Sequence, residues 1–328
     1  MKILFFLSLF MVSLATQVMA QRVDPFSNIK DLMSRSEADI DLLEVKLAID
    51  ESILPSQETE STRRQVREFM VALKAMVPQN ANTFQKIETV KRFLHQPGPW
   101  NGNKPFEYDL TDPLGKRIES KTLSQYIKKR KGNCVSMPIM FMILAESLGV
   151  DISLSSAPNH LLTRVFIHEK RMAFALEATS GGHFARDSHI RKQMPMSDKA
   201  IQNGIYLQRL TKKESAATML TTLGTFLGQM GRHREQLELA KEILGYYPKS
   251  VVGLLQAGNA YYKLIETDFM TKYRRVHEIP VSERARLAMY RRKNQEYFRK
   301  AERLGWREPS RGSRDNYLSR VKRAKKGA

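Results

Sequence analysis

Cys134 is the single cysteine of a 328-residue chain, and it stands where a thiol can do chemistry. It closes the turn Arg130-Lys131-Gly132-Asn133-Cys134, and an apolar stretch over residues 137–148 follows. The start of a helix carries partial positive charge and unpaired N–H groups, which favour a thiolate and can hold an oxyanion. Pro138 prefers a first helical turn. The gain to Cys134 therefore depends on whether the helix begins at Asn133 or at Ser136. A thiol nucleophile needs a base and a group that orients the base. His160, in Pro158-Asn159-His160, and Glu177, in Leu176-Glu177-Ala178-Thr179, follow in the order Cys, His, acid. Such a set attacks a carbonyl carbon, shuttles a proton and passes through an acyl-thioester.

Other residues fit chemical roles less well. Asp187 is a weaker candidate acid than Glu177, and Ser136 reads as a cap or packing residue rather than a nucleophile. Lys128, Lys129, Arg130 and Lys131 read as a solvated basic face more readily than as a catalytic one. One thiol excludes an internal disulfide framework and zinc sites that need several thiolates. The other histidines show no metal spacing, and no phosphate-cradling Gly loop or dinucleotide fingerprint occurs, so no cofactor is expected.

Positioning these residues falls to a helix and three strands. The apolar run over 137–148, stopped by Gly149, predicts a buried helix. Strand-like runs cover 151–155, 161–167 and 173–178, and Ser180-Gly181-Gly182 opens a polar loop to about Met196. Two neighbouring antiparallel strands set His160 beside Glu177, and the preceding helix aims Cys134 at His160. Upstream, helical periodicity covers 28–53, 62–76 and 83–94. A Pro- and Gly-rich region over 96–116 holds at most one short strand near 106–110, and a short helix spans 123–129.

The stretches Arg130-Lys131-Gly132-Asn133-Cys134-Val135-Ser136-Met137-Pro138, Leu144-Ala145-Glu146-Ser147-Leu148-Gly149-Val150 and Ala157-Pro158-Asn159-His160 resemble the transglutaminase-like superfamily. The closest match is its SirB-like branch, where such a core is often joined to tetratricopeptide repeats. The resemblance covers roughly residues 123–187. It implies an α+β, papain-like core of helices and a small antiparallel sheet, with Cys134 as nucleophile and His160 as base. Glu177-Ala178 then stands where the superfamily usually has Asp-Pro, a longer side chain that needs a different strand setting. By the same likeness Gln125 is a candidate oxyanion donor. His183 either lines the cleft or is a solvated loop histidine. Catalytic residues are not always present in that branch, so the alternative is a catalytically silent scaffold that binds a protein or envelope component.

Beyond Thr211 the pattern is helical and repeats. Leu220-x-x-Leu223-Gly224-x-x-Leu227 returns as Leu254-x-x-Ala257-Gly258-x-x-Tyr261, at the period of tetratricopeptide repeats. A helix over 284–304 is expected to complete a third hairpin, and such a module offers a surface to a protein or peptide. The chain carries 54 Lys and Arg against 34 Asp and Glu, a net +20. Residues 271–328 hold 19 of those bases and 6 of the acids, so the excess is largely C-terminal. The tail either meets an anionic surface of lipid headgroups, envelope polymers or an acidic protein, or is a disordered solubilising segment, and nucleic acid is an unlikely partner. The opening Met1-Lys2, the apolar run Ile3 to Leu14 and Val18-Met19-Ala20 predict a signal peptide cut after Ala20, hence a periplasmic or secreted protein. The expected organisation is a signal peptide (1–20), an N-terminal helical part of the core (21–105), the transglutaminase-like core (106–210), an all-α tetratricopeptide-like domain (211–305) and a basic tail (306–328). The expected activity is amide or peptide hydrolysis, or acyl transfer, on a protein or peptide substrate.

Overall fold

A computed structural model describes residues 26–308 and positions 312, 315, 318, 319 and 323. The expected signal peptide and most of the basic tail lie outside the described residues. No helix among the described residues is long and apolar enough to cross a membrane.

Four helices lead the chain: α1 (Ser27–Ser34), α2 (Leu42–Glu51), α3 (Ser56–Met76) and α4 (Thr83–His95). The periodicity over 28–53 is thus two helices, not one. Asp41 ends the break between them by accepting from the N–H groups of Leu43 and Glu44, an N-cap that restarts the helix. Next come a two-residue strand β1 (Glu107–Tyr108), helix α5 (Leu123–Lys129) and strand β2 (Lys131–Gly132), the strands pairing in parallel. Helix α6 (Ser136–Ser147) is the central rod. Every residue from Ser136 to Ala145 is buried, as expected of a helix apolar all round.

An antiparallel sheet covers α6, in the order β3 (Ile152–Ala157), β4 (His160–Ile167), β5 (Met172–Glu177), β6 (His183–Ala185). Pro158 and Asn159 make the β3–β4 turn. Asn159 sits at φ 58°, which with Pro before it suits a type II turn, and His160 becomes the first residue of β4. Strand β6 corrects the expectation of a polar loop after Ser180. Gly181 and Gly182 both take left-handed φ values of 74° and 70°, which reverse the chain tightly enough to lay His183 opposite Glu177. The rest of that segment holds two short helices, α7 (Asp187–Gln193) and α8 (Asp198–Gln202).

The C-terminal part is α9 (Lys212–Gln229), α10 (His233–Tyr246), α11 (Val251–Ile265) and α12 (Val281–Arg303). Helix α12 packs on α11, so it closes a second hairpin and not a third. The two motif glycines allow close helix approach. A Cβ at Gly224 would lie 2.4 Å from the Gln256 side chain, and one at Gly258 would lie 2.8 Å from the Phe298 ring. Gln256 and Asn294 then cross those contacts to bond Thr221 O and Gly258 O, both at 2.8 Å. The packing runs across the boundary expected near 210: Leu220, Leu223, Leu239 and Ile243 share one apolar cluster with α2, α4 and α6. Trp306, at the start of the expected tail, packs against Ala157, Ile205 and Val251.

Candidate functional site

Local structure at Cys134 is set by Asn133. The Asn133 Oδ1 accepts from the N–H groups of Val135 (2.9 Å) and Ser136 (3.1 Å), and the Ser136 hydroxyl accepts from the Asn133 N–H (3.2 Å). That reciprocal exchange is a capping box, with Asn133 in the N-cap role. The Asn133 carbonyl also accepts from Met137 at 3.2 Å. Regular helix starts at Ser136, yet the cap places Cys134 at the first position after Asn133. Among the described residues the Cys134 N–H has no acceptor, whereas the next three N–H groups are all engaged. The Asn133 amide donates to Ser120 O (2.9 Å) and Ser120 Oγ (3.0 Å), which ties the cap to the 3-10 turn Ile118–Lys121.

The buried Cys134 side chain contacts Asn159 O at 3.9 Å and hydrogen-bonds the His160 ring. His160 Nε2 lies 2.6 Å from Glu177 Oε2, so Nδ1 is the ring nitrogen left to face the sulfur. Glu177 is itself pinned: its Oε1 accepts from the Thr179 N–H at 3.1 Å and the Thr179 hydroxyl at 2.6 Å. The strand register explains why a Glu spans this gap. Thr163 faces Leu176, so the same register sets Glu177 opposite Leu162, and His160 is reached diagonally. Diagonal neighbours stand roughly 7–8 Å apart, which favours the longer carboxylate.

Electrostatics within the three are strongly biased. Burial pushes the His160 imidazolium down, but the Glu177 carboxylate and the hydrogen bonds to Cys134 and Glu177 overcome it and raise His160 to about 10. Burial likewise pushes Glu177 up, and His160 and Thr179 hold it below the ordinary carboxylate value.

A cavity of about 340 Å³ opens from Cys134 and His160, in the range of small-ligand sites. Helix α9 lines it through Thr218, Thr221, Thr222 and Thr225, and Tyr206, Tyr247 and Trp306 line it as well. The helical hairpins therefore build part of the cavity and are not a remote appendage. The structure brings together Cys134, His160 and Glu177 and leaves the other candidates outside. Gln125 lies on α5, does not line the cavity, and uses its N–H on the Thr122 cap at 3.4 Å. His183 is exposed on β6, opposite Glu177 in the ladder, and does not line the cavity. Asp187 is engaged by Arg164 at 2.9 Å. Arg130 lies over the Phe106 ring at 4.2 Å, and Lys128, Lys129 and Lys131 are exposed. Three residues at the site carry no signal in the sequence pattern that would single them out: Thr179 as the clamp on Glu177, and Lys116 and Lys121 on the cavity wall. Asn-x-x-Ser before an apolar run was the one readable cue, as a capping pattern. No group of His, Cys, Asp and Glu suited to a metal ion occurs among the described residues.

Residues 60–221 match the family model described as the transglutaminase-like superfamily. That stretch, which holds Cys134, His160 and Glu177 and ends inside α9, is a transglutaminase-like domain. No curated protein and no solved structure matches the chain.

Proposed function

We propose that this protein is an exported cysteine-dependent amide or peptide hydrolase, or acyltransferase, of the SirB-like branch. One observation carries the reading: His160 is held between Glu177 at 2.6 Å and the Cys134 thiol, at the end of an open cavity. The Cys134 sulfur attacks as a thiolate and bonds to the substrate carbonyl carbon, and the charge passes to oxygen, where the Cys134 N–H receives it. His160 gives its proton to the departing amine as the C–N bond breaks. Water or a second amine then attacks the thioester, His160 takes its proton, and the thiolate leaves. Glu177 is a positioning residue: it acts through His160, fixing the ring and its charge.

The other parts of the reading rest on pattern. Export follows from the N-terminal sequence. The helical pair α9–α10 and the pair α11–α12, with Gly224 and Gly258 at equivalent close approaches, support a tetratricopeptide-like module that recruits a protein partner. The basic tail suits an anionic envelope surface. The test is labelling of the folded protein with a peptide vinyl sulfone, followed by mass mapping. Label on Cys134 in the wild type and its loss in His160→Ala support the enzyme. No label on a folded, reduced protein overturns it and leaves the silent scaffold.

A further inference from the structure

The catalytic cavity has an asymmetric chemistry. Its charged lining groups, besides His160, are Lys116 and Lys121, and no Asp or Glu lines it among the described residues. The Lys121 ammonium makes no hydrogen bond or ion pair among the described residues. Burial holds it below the ordinary lysine value against the pull of Cys134 and Asp112. Asp112 is occupied elsewhere, accepting from Ser120 Oγ at 2.6 Å and from the Lys116 N–H at 2.7 Å. The α9 threonines on the same lining present the opposite character. Thr218, Thr221 and Thr225 donate their hydroxyl protons to Glu214 O, Thr218 O and Thr221 O at 2.7–2.9 Å. The Thr218 and Thr221 oxygens therefore keep lone pairs with which to accept, whereas Thr225 Oγ1 already accepts from Gln256 Nε2 at 3.2 Å. The lining thus offers cationic donors, with Lys121 close enough to Cys134 to feel its charge, and hydroxyl acceptors on α9.

Lys121 is half-buried with no carboxylate bonded to its ammonium among the described residues, and its backbone is held in place. Lys46 Nζ donates to Lys121 O at 3.0 Å, and Asp50 accepts from the Leu123 N–H at 2.9 Å. We infer that Lys121, with Lys116 on the same cavity, selects substrates that carry a carboxylate close to the scissile carbonyl, while the α9 threonines receive amide N–H groups of the same molecule. The inference rests on the proposed cysteine chemistry and names the substrate class for it. Two sources share this chemistry: the C-terminal carboxylate of a short peptide, and an acidic side chain on the acyl residue.

The test uses the full chain and two alkylating agents that differ in charge. Wild type, Lys121→Met, Lys121→Arg and Lys116→Met are reacted with iodoacetate and with iodoacetamide, and Cys134 alkylation is timed by mass. The ratio of iodoacetate to iodoacetamide rates should fall about tenfold in Lys121→Met, less in Lys116→Met, and be kept in Lys121→Arg. An unchanged ratio in Lys121→Met, with Cys134 still reactive, overturns the carboxylate inference alone. Failure of both reagents on a folded wild type overturns the proposed cysteine chemistry instead. Protection against iodoacetamide by short peptides separates the sources. Loss of protection on C-terminal amidation assigns the terminal carboxylate, and loss on changing Glu to Gln assigns the side chain. Equal protection by acid and amide forms contradicts the inference.

Discussion

Two buried acid–base pairs sit in this core, and they behave in opposite ways. Lys46 and Asp50 pair one turn apart on α2, with side chains 0% and 4% exposed. Their remaining valences close on Lys121 O and the Leu123 N–H, and neither lines the cavity. Burial prevails over Lys46 there and raises the Asp50 carboxyl. His160 and Glu177 pair across two strands, and there the partners prevail over burial, so Glu177 is lowered and His160 raised to about 10. The first network is closed and holds the 3-10 turn and the start of α5 against α2. The second leaves one ring nitrogen facing a thiol at the end of a cavity. Burial and pairing alone do not mark a functional group. A reactive atom that opens onto a cavity does, and here it is the Cys134 thiol.

Cutting each pair should separate the two roles. The largest effect is expected from Cys134→Ala, which should lower acyl transfer by about 10⁴-fold or more. Its unfolding midpoint in urea should move little, because the change removes a single atom at the edge of a cavity. Asp50→Ala should do the reverse and destabilise by about 3–5 kcal/mol, since it strands a buried ammonium. The Lys46→Met/Asp50→Leu double variant should recover most of that loss in the same urea titration. A large activity loss in a stable double variant would erase the distinction between brace and site.

Glu177→Gln comes next, with an expected fall in rate of about 10²–10⁴-fold. NMR titration of His160 should show a midpoint near 10 in the wild type and a clear drop in the variant. Glu177→Asp keeps the charge but is a methylene short for the diagonal, so its rate should fall too. The sign for stability follows from the same shifts. The His160 contribution is complete below its ordinary 6.5 and is lost as pH rises through about 10. The Glu177 contribution is complete above its ordinary 4.5 and is lost as pH falls through its lowered value. The stability gap between wild type and Glu177→Gln should thus be widest near pH 5–6 and shrink toward pH 10. The smallest effect is expected from Thr179→Val, about 1 kcal/mol in stability and a few-fold in rate.

Much of this geometry was legible because it is local. Pro158-Asn159 specifies a tight turn, so a strand had to begin near His160, and the next strand had to bring Glu177 alongside. The apolar run from Met137 to Ala145, stopped by Gly149 a turn later, is too long for a strand and reads as a buried helix. Other features depend on contacts far along the chain. Strand β6 is three residues long and needs two left-handed glycines to return to β5. Lys121 sits in a 3-10 turn with no motif of its own, and a brace from α2 holds its backbone. Gln125 follows it on α5 with the right side chain for an oxyanion donor but outside the cavity. The α9 wall was hidden because periodicity marks the helices of a repeat without saying what they pack against.

The account turns on whether Cys134 becomes acylated and is then released. Rapid mixing with p-nitrophenyl acetate measures both steps. Wild type should give a burst of nitrophenol equal to the protein present, with the acetyl group on Cys134, followed by slower turnover. Cys134→Ser should give no burst, and Glu177→Gln a much slower one. A folded, reduced wild type that shows no burst and carries no acetyl group on Cys134 would contradict the account.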